Sequence, residues 1–458
     1  MPSPVRVAII GSGPAAFYAA EHLLKRPGVE VDMIERLPTP YGLVRGGVAP
    51  DHPKIKSVIA IYEKIAALPT FRFFGNVEYG RDVTRADLER HFHAALYATG
   101  AQTDRALGIP GEELEGSHSA TEFVGWYNGH PDFRDRVFDL SAESVAIIGM
   151  GNVAVDVARI LCLMPDEMRA TDMADPAIEA LSKSGVKDVY LIGRRGVVQA
   201  AFTTNEVREL GELPGADVIV RPEEAEVDAA SADELAAGRA SLKSKVEIVQ
   251  GFARRPPAGK PRRLHVRFCL SPLEVIGDAR GRVAGLRLAR NELVRSESGA
   301  VVARPTGEVE TLEIGLLFRS VGYRGVPLAE LPFDGKACVI PHQRGRVCAL
   351  ETGTPLRGHY VTGWIKRGPS GVIGNNKADS VETANMLLAD LDEGALLDPA
   401  EPDRARFASL LEQRQPRLVT FPDWQRLDQL EVERGRPHGR PRVKFTSIEE
   451  MLEKLRQD

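Results

Sequence analysis

The chain has 458 residues, of which 43% are apolar, and it carries a formal charge of −5. This length is about three times that of a typical domain, so we expect two or three domains with a sizeable buried core. The mildly acidic balance disfavours a general nucleic-acid-binding protein, which would usually be basic.

The apolar N-terminal stretch, MPSPVRVAIIGSGPAAFYAAEHLL, superficially resembles a signal peptide. It lacks a basic start, however, and is interrupted by Gly11, Gly13 and Pro14, so we expect it to be folded protein. No segment approaches the about 18 uninterrupted apolar residues of a membrane-spanning helix. These features predict a cytoplasmic protein without a membrane span.

Residues 5–10 form a short β-branched run that is typical of a buried parallel strand. The run leads into a GxGxxA pattern. In such a pattern Gly11 permits the tight turn, Gly13 lets a pyrophosphate approach the backbone, and Ala16 lets the following helix pack on the strand. The start of that helix offers N–H groups to phosphate.

A second predicted strand, residues 29–34, ends at Glu35, which lies 24 residues after Gly11. An acid in this position is expected to accept a hydrogen bond from a ribose hydroxyl. Strand, turn, helix, strand and acid in this order predict a dinucleotide-binding fold, whereas an isolated glycine motif would be weak support.

The same arrangement occurs a second time. The apolar run 144–148 precedes Gly149 and Gly151 of a second GxGxxA pattern, whose last residue is Ala154. A helix is predicted to follow, and the next strand is 189–192. Because a segment rich in Asp and Met separates these two elements, their spacing is longer than usual.

The second copy ends its strand in Arg194 and Arg195 where the first copy has an acid. An acid would repel the 2′-phosphate of NADP(H), whereas two guanidiniums attract it. At about 1.5 kcal/mol for each charge-assisted contact, the pair predicts roughly a hundredfold preference for NADP(H) over NAD(H). The alternative is a solvated arginine pair on the surface.

Two similar segments flank the second copy. Residues 96–101 and residues 317–323 both join an apolar run to small residues. We interpret them as the points where the chain leaves one domain and returns to it. The predicted fold class is therefore α/β, with two Rossmann-like dinucleotide-binding domains, the second inserted into the first.

The segment that completes the first domain contains a predicted strand, residues 359–362, and a Gly/Pro/Ser-rich loop, residues 363–374. A helix is predicted over residues 377–388. The start of such a helix favours negative charge, such as that of a reduced flavin. A flexible connection is the alternative interpretation of the loop.

Two local clusters of basic residues are solvated faces or docking sites for an acidic protein. The first contains Arg434, Arg436, Arg440, Arg442 and Lys444, and the second contains Arg254, Arg255, Lys260, Arg262 and Arg263.

The chain gives little sign of metal or thiol chemistry. Its four cysteines are scattered, with no CxxC pattern, which is typical of a reducing compartment. His91 and His93 have no carboxylate or cysteine ligand beside them, so we expect no metal site.

Several longer motifs carry a family resemblance. They are GSGPAAFYAA, ERLPTPYGLVRGGVAPDHPKIK, FRFFGNV, GMGNVAVDVARIL, GRRGVVQAAFTTNEVREL, SVGYRG, GWIKRGPSGVIGNNK and GRPHGRPRVKF. Together they resemble the adrenodoxin reductase-type ferredoxin–NADP⁺ reductases, particularly the bacterial members, over nearly the whole chain.

The resemblance implies FAD in the first domain and NADP(H) in the inserted one. The FAD-binding domain would comprise residues 1–102 and 322–458, and the NADP(H)-binding domain residues 103–321. The residues implied to contact FAD are Gly11, Gly13, Ala15, Glu35, Leu43, Val77, Trp364, Gly371, Val372 and Ile373. Those implied to contact NADP(H) are Asn152, Val153, Ala154, Val155, Arg194, Arg195, Glu206, Arg105 and Gly371.

The resemblance also implies that His52 and Glu209 lie near the reacting rings as catalytic candidates. They would manage protons or place the nicotinamide. A structural His52 is the alternative, because hydride transfer itself needs no side-chain acid.

The implied activity is hydride transfer between NADPH and FAD, followed by single-electron transfer to a ferredoxin or adrenodoxin-like iron–sulfur protein. We expect a monomer. A flavin monooxygenase and a non-catalytic NADP(H) sensor are the alternatives. Because the chain has no additional cysteine-rich N-terminal domain, we do not expect kinship with reductases that carry their own ferredoxin.

Overall fold

The computed structural model describes residues 4–456. The outermost residues of the predicted FAD-binding domain, 1–3 and 457–458, lie outside the described part of the chain. The contacts between residues divide the protein into two compact units. The first comprises residues 1–103, 128–131 and 323–458, and the second comprises residues 104–127 and 132–322.

The first unit is built on an eight-stranded sheet whose central strands are parallel. Parallel strands are usually buried on both faces, which explains why these strands are apolar runs in the sequence. In spatial order its strands are His342–Gln343, Arg346–Cys348, Pro355–Val361, Ala94–Tyr97, Val5–Ile10, Val29–Ile34, Phe71–Gly75 and Val419–Thr420. Its helices are Pro14–Leu23, Leu43–Gly46, Pro53–Lys56, Ile59–Ala66, Arg85–His91, Trp364–Arg367, Asn375–Asp392, Arg404–Arg414, Phe421–Gly435 and Ile448–Arg456.

Buried apolar clusters cover both faces of this sheet. One contains Val7, Ile9 and Phe17, and the other contains Ala8, Ile10 and Tyr97. Because successive residues of a strand point to opposite faces, the alternation of positions 7 to 10 explains how one strand serves both clusters.

The second unit contains a six-stranded parallel sheet, and its strands in spatial order are Ser117–Ser119, Leu316–Arg319, Ser144–Ile148, Asp188–Ile192, Arg262–Arg267 and Ala216–Ile219. Its helices are Ala120–Tyr127, Asn152–Cys162, Pro165–Arg169, Asp175–Ser182, Thr204–Leu210, Pro222–Ala225, Ala232–Ala237 and Ala240–Arg254. The Asp- and Met-containing segment after Cys162 is therefore two short helices.

A three-stranded antiparallel sheet completes the second unit. Its strands are Leu270–Gly277, Val283–Arg295 and Val301–Glu313. The sequence did not predict this sheet.

Among the described residues, no helix combines the length and the apolar composition needed to cross a membrane.

Candidate nucleotide-binding sites

The first glycine turn follows the strand Val5–Ile10. Gly11 has φ +99°, and a Cβ atom there would lie 2.7 Å from the carbonyl oxygen of Ala98, so a larger residue cannot pack in this turn. A Cβ atom at Gly13, in contrast, would meet nothing within 4 Å. The turn is thus tightly packed at Gly11 and open at Gly13. There the N-terminus of the helix Pro14–Leu23 offers N–H groups to a phosphate.

Glu35 closes this turn. The N–H and hydroxyl of Ser12 donate to its Oε2 atom at 3.1 Å and 2.7 Å, and the N–H of Leu37 donates to Oε1 at 3.1 Å. Because a carboxylate has about four acceptor positions, Glu35 retains capacity for a ribose hydroxyl. The N–H of Val77 donates to the Glu35 carbonyl at 3.0 Å, so a contact from Val77 to a cofactor would use its carbonyl oxygen.

A segment around the predicted residue Leu43 packs against the same turn. The N–H of Tyr41 donates to the carbonyl of Ser12 at 3.0 Å, and a Cβ atom at Gly42 would lie 2.9 Å from the Cα of Gly13. Leu43 then begins the short helix Leu43–Gly46. This backbone therefore borders the open position at Gly13.

The helix Phe421–Gly435 fixes that segment through Glu431, which is fully buried. Arg45 donates to both carboxylate oxygens of Glu431, at 2.8 Å and 2.5 Å, and Arg442 donates at 3.2 Å. Burial opposes the ionisation of Glu431, but the charges of Arg45 and Arg442 outweigh it, and the pKa of Glu431 is lowered.

Trp364 follows the strand Pro355–Val361, which lies on the opposite side of the strand Val5–Ile10 from the strand that precedes Glu35. The indole N–H of Trp364 donates to the carbonyl of Ser370 at 3.2 Å, and its ring centroid lies 5.3 Å from that of Tyr323. Gly371 and Val372 are exposed, with Val372 53% accessible. An exposed apolar loop next to an ordered indole is suited to contact a flat ring.

The loop is tied directly to the first glycine turn. A Cβ atom at Gly363 would lie 2.7 Å from the Cβ of Ala15, and the hydroxyl of Ser380 donates to the Ala15 carbonyl at 2.9 Å. Asp379 accepts the N–H of Gly363 at 2.6 Å. The structure thus brings Gly11, Gly13, Ala15, Glu35 and Trp364 together. Sequence reasoning missed Asp379 and Gly42; for Gly42 the only sequence signal is its place in the motif TPYGLVRGG.

The second glycine turn repeats the first in the other unit. Gly149 has φ +141°, and a Cβ atom there would overlap the carbonyl oxygen of Ser320. A Cβ atom at Gly151 would meet nothing within 4 Å. The N–H of Val155 donates to the Gly151 carbonyl at 3.1 Å, so a bound phosphate would use the N–H groups of the preceding first-turn residues, Asn152, Val153 and Ala154.

Arg194 and Arg195 follow the strand Asp188–Ile192, as predicted. Within residues 4–456 neither guanidinium forms an ion pair or a hydrogen bond, although many other arginines of the protein do. Arg194 is exposed and Arg195 is half-buried. Two unpaired guanidiniums at one strand end form a site suited to a phosphate dianion.

Glu206 and Glu209 lie on the helix Thr204–Leu210, which Thr203 caps by accepting the Glu206 N–H at 3.4 Å. Asn152 fixes this cap, because its Oδ1 accepts the Thr203 N–H at 2.9 Å. The buried Arg159 lies 2.9 Å from Glu209 and 3.6 Å from Glu206. Both acids are therefore held by one cation.

The remaining candidates are placed by their backbones. In the first unit, the N–H of His52 donates to Ala49 at 3.0 Å and its carbonyl accepts from Ile55 at 3.2 Å. In the second unit, the exposed Arg105 donates its N–H to the Gly322 carbonyl at 3.0 Å.

Several members of the two predicted basic clusters have partners inside the protein. Arg442 pairs with Asp428 and Glu431, and Lys444 is buried, with its Nζ 3.4 Å from the Arg45 carbonyl. In the second cluster Arg263 pairs with Asp188, Arg262 donates to the carbonyls of Leu163 and Val186, and Lys260 donates to that of Leu213.

The two histidines considered as metal ligands are hydrogen-bonded, and three of the four cysteines are buried. His91 is bonded to the Glu401 carbonyl at 2.8 Å, and Nδ1 of His93 accepts the Arg6 N–H at 3.0 Å. All four cysteines are free. Burial raises the pKa of Cys162 to about 12 and that of Cys269 to about 11.

Comparison with known proteins places this geometry in a family. Residues 5–210 match the model of the family described as pyridine nucleotide-disulphide oxidoreductase. The solved structure of Mycobacterium tuberculosis FprA in complex with NADPH superimposes with a TM-score of 0.93 at 47% identity, covering 98% of this chain and 99% of that one. The predicted fold class, with one dinucleotide-binding domain inserted into another, is confirmed.

Curated relatives agree with this result. The NADPH-ferredoxin reductase FprA of Mycobacterium tuberculosis is 49% identical over 98% of both chains. The human mitochondrial NADPH:adrenodoxin oxidoreductase is 43% identical over 98% of this chain and 92% of its own length.

One sequence-based expectation was wrong. A "Probable ferredoxin/ferredoxin--NADP reductase" of Mycobacterium bovis is 44% identical over 98% of this chain and 75% of its own length. Kinship therefore extends to a longer protein whose name joins ferredoxin and reductase, and this chain covers 75% of its length. The chain belongs to the adrenodoxin reductase-type family of ferredoxin–NADP⁺ reductases.

Proposed function

We propose that this protein is an FAD-containing ferredoxin–NADP⁺ reductase. When bound, FAD exchanges a hydride with NADPH and single electrons with an iron–sulfur protein of the ferredoxin type. The observation that carries the proposal is the contrast between Glu35 after one glycine turn and the unpaired Arg194 and Arg195 after the other. The contrast suits one cofactor without a 2′-phosphate and one with it.

We assign FAD to the first unit, with predicted boundaries 1–102 and 322–458. The turn at Gly11, Gly13 and Ala15 would hold the pyrophosphate, and Glu35 the ribose. Support comes from the open position at Gly13, which a Cβ atom would partly fill, and from the fixed carboxylate. Leu43 and Val77 would contribute backbone contacts, and Trp364, Gly371, Val372 and Ile373 would line the isoalloxazine.

We assign NADP(H) to the second unit, with predicted boundaries 103–321. Asn152, Val153 and Ala154 would meet the pyrophosphate, with Val155 supporting their helical turn. Arg194 and Arg195 would bind the 2′-phosphate. Glu206 and Arg105 are further proposed contacts, and the buried position of Glu206 beside Arg159 supports a fixed side chain.

His52 and Glu209 are proposed to place the nicotinamide or to manage protons near it. The positions of both residues are fixed, one by the backbone at Ala49 and the other by Arg159. The iron–sulfur partner would be a small ferredoxin or adrenodoxin-like protein, and the reductase would act as a cytoplasmic monomer that binds no nucleic acid.

The decisive experiment is an anaerobic titration of the purified protein with NADPH or NADH, in which the visible spectrum is the readout. We expect a yellow protein whose colour is bleached by one equivalent of NADPH, and by NADH only at far higher concentration. Addition of oxidised ferredoxin should then restore the yellow colour. Colourless protein reconstitutable by neither FAD nor FMN would support the sensor. Reduced protein that reacts with dioxygen and ignores ferredoxin would support the monooxygenase.

A further inference from the structure

A side chain from the three-stranded antiparallel sheet reaches the loop that carries the two arginines. Asn291, which is only 5% exposed, donates through Nδ2 to the carbonyl of Arg194 at 2.9 Å and to Oγ of Ser271 at 2.8 Å. No residue of the catalytic or nucleotide-binding set predicted from the sequence lies in this sheet. Asn291 therefore links the sheet to the backbone of the proposed phosphate site.

Asn291 lies on a buried part of its strand. Side chains alternate with a period of two, so Asn291 shares a face with Ala289, and both residues are buried. The pairing with the neighbouring strand is irregular here, because Ala289 pairs with Val309 and Asn291 with Pro305, which leaves extra residues in the partner strand.

A second contact reinforces the first. Cys269 has φ +57°, a conformation uncommon for a residue with a side chain, and it donates its N–H to the Arg195 carbonyl at 3.2 Å. Its own carbonyl accepts the N–H of Asn291 at 2.8 Å. Asn291 thus holds Arg194 through its side chain and Arg195 through Cys269.

The chemistry of the amide explains why this position carries asparagine. Both Nδ2 protons are donated to acceptors, which a carboxylate cannot do. No described residue donates to Oδ1, which is buried, so the two donors are the polar function of this side chain. The nearby carboxylate of Glu224 is bound by Arg267 at 2.9 Å and Arg290 at 3.3 Å, so its charge is compensated without Arg194 or Arg195.

We propose that Asn291 is a positioning residue for coenzyme specificity: it fixes the backbone of Arg194 and Arg195 so that both guanidiniums meet the 2′-phosphate. The inference rests on the proposed function, because it requires that these arginines bind that phosphate. Asn291 itself does not touch the coenzyme in this scheme. Its removal weakens only interactions that depend on the 2′-phosphate.

The test compares N291A with the matched control E292Q, which alters the exposed neighbour on the same strand. We expect N291A to raise the KM for NADPH about fivefold with little change in kcat, and to leave the KM for NADH within about twofold. Calorimetric titration should show the same loss for adenosine 2′,5′-bisphosphate and none for 5′-AMP. E292Q should change none of these values.

The double variant R194A/R195A separates the two hypotheses. If R194A/R195A keeps the native preference for NADPH over NADH, the proposed phosphate site fails, and the role of Asn291 fails with it. If R194A/R195A loses that preference, adding N291A should produce no further loss in the affinity for NADPH, because the arginines are already absent. Equal losses for both coenzymes in N291A, or a full additional loss in the triple variant, would overturn the positioning role alone. If N291A folds poorly, N291D replaces it, because aspartate keeps the shape of the side chain without its two donors. We expect N291D to lose affinity for adenosine 2′,5′-bisphosphate but not for 5′-AMP in the calorimetric test. Unchanged affinity for both ligands would overturn the positioning role.

Discussion

The two glycine turns share their framework and differ in the residue that ends the next strand. In both, a glycine with positive φ packs against a neighbouring carbonyl oxygen, at Gly11 and Gly149, and a second glycine leaves open space, at Gly13 and Gly151. In the first, Glu35 is bonded to the turn itself. In the second, the two arginines bond to no described side chain. In the proposed function the common part binds a dinucleotide, and the residue that ends the next strand selects which one.

The largest expected effect comes from breaking what the two turns have in common. G149A places a methyl group on the Ser320 carbonyl and forces alanine into a positive φ, so we expect the free energy of unfolding to fall by at least about 3 kcal/mol. G151A is the matched control, because its methyl group meets open space. Urea unfolding followed by circular dichroism measures both, and equal stability of the two variants would contradict the packing argument.

The next largest effect is expected at the arginine pair, which only the second turn has. Replacing Arg194 and Arg195 by alanine removes two charge-assisted contacts, so we expect the KM for NADPH to rise roughly a hundredfold while that for NADH changes little. FAD content, measured by absorbance, should stay at one per chain. A parallel loss with NADH would show that the pair supports the fold and not the 2′-phosphate.

A smaller effect is expected at the first turn, where Glu35 is proposed to contribute to the affinity for FAD. E35Q keeps the shape of the side chain but replaces a charged acceptor by a neutral amide, so we expect FAD to bind about tenfold more weakly to the apoprotein. Quenching of flavin fluorescence gives the Kd. The KM for NADPH of the FAD-saturated variant should be unchanged, and a changed KM would indicate that Glu35 acts beyond its own turn.

The smallest effect concerns the sheet beneath the second turn. Burial, then the charges of Arg319 and Arg136, lower the pKa of His118 from 6.5 to about 4. The unfolded chain therefore binds more protons than the folded one between these values, and stability present above pH 6.5 is lost as the pH falls towards 4. We expect this residue to contribute about 1 kcal/mol to that loss, after allowing for its partial exposure.

The variant H118N tests this contribution, because it cannot gain a proton. The difference in unfolding free energy between H118N and the native chain should change across pH 4 to 6.5 and be constant above it. A difference that is independent of pH would refute the assignment.

Local patterns of the sequence were sufficient for the parts that recognise nucleotides. The strands before Gly11 and Gly149, the acid at Glu35 and the pair at Arg194 are all read from neighbours in the chain, and the strands and turns are where they were predicted. The assignment of contacts to individual residues stays a prediction.

Features that depend on distant partners could not be read in this way. Lys444 lies among basic residues in the sequence, yet its partners are the carbonyl of Arg45 and the side chain of Asn128. The strand of Asn291 buries the adjacent residues Leu288 and Ala289, so the burial of Asn291 does not follow from a simple alternation. Burial and pairing at these positions are properties of the packed chain.

The burial of the native cysteine side chains has a practical consequence. Cys162, Cys338 and Cys348 are buried, so reagents in the solvent have little access to them, and burial raises the pKa of the half-buried Cys269 to about 11. A cysteine introduced at Val137, which is 84% exposed, would therefore be alkylated far ahead of the others. Single-site spin or fluorescence labelling thus becomes feasible on the otherwise unaltered sequence, and the arrival of the electron acceptor can be followed from a chosen point on the surface.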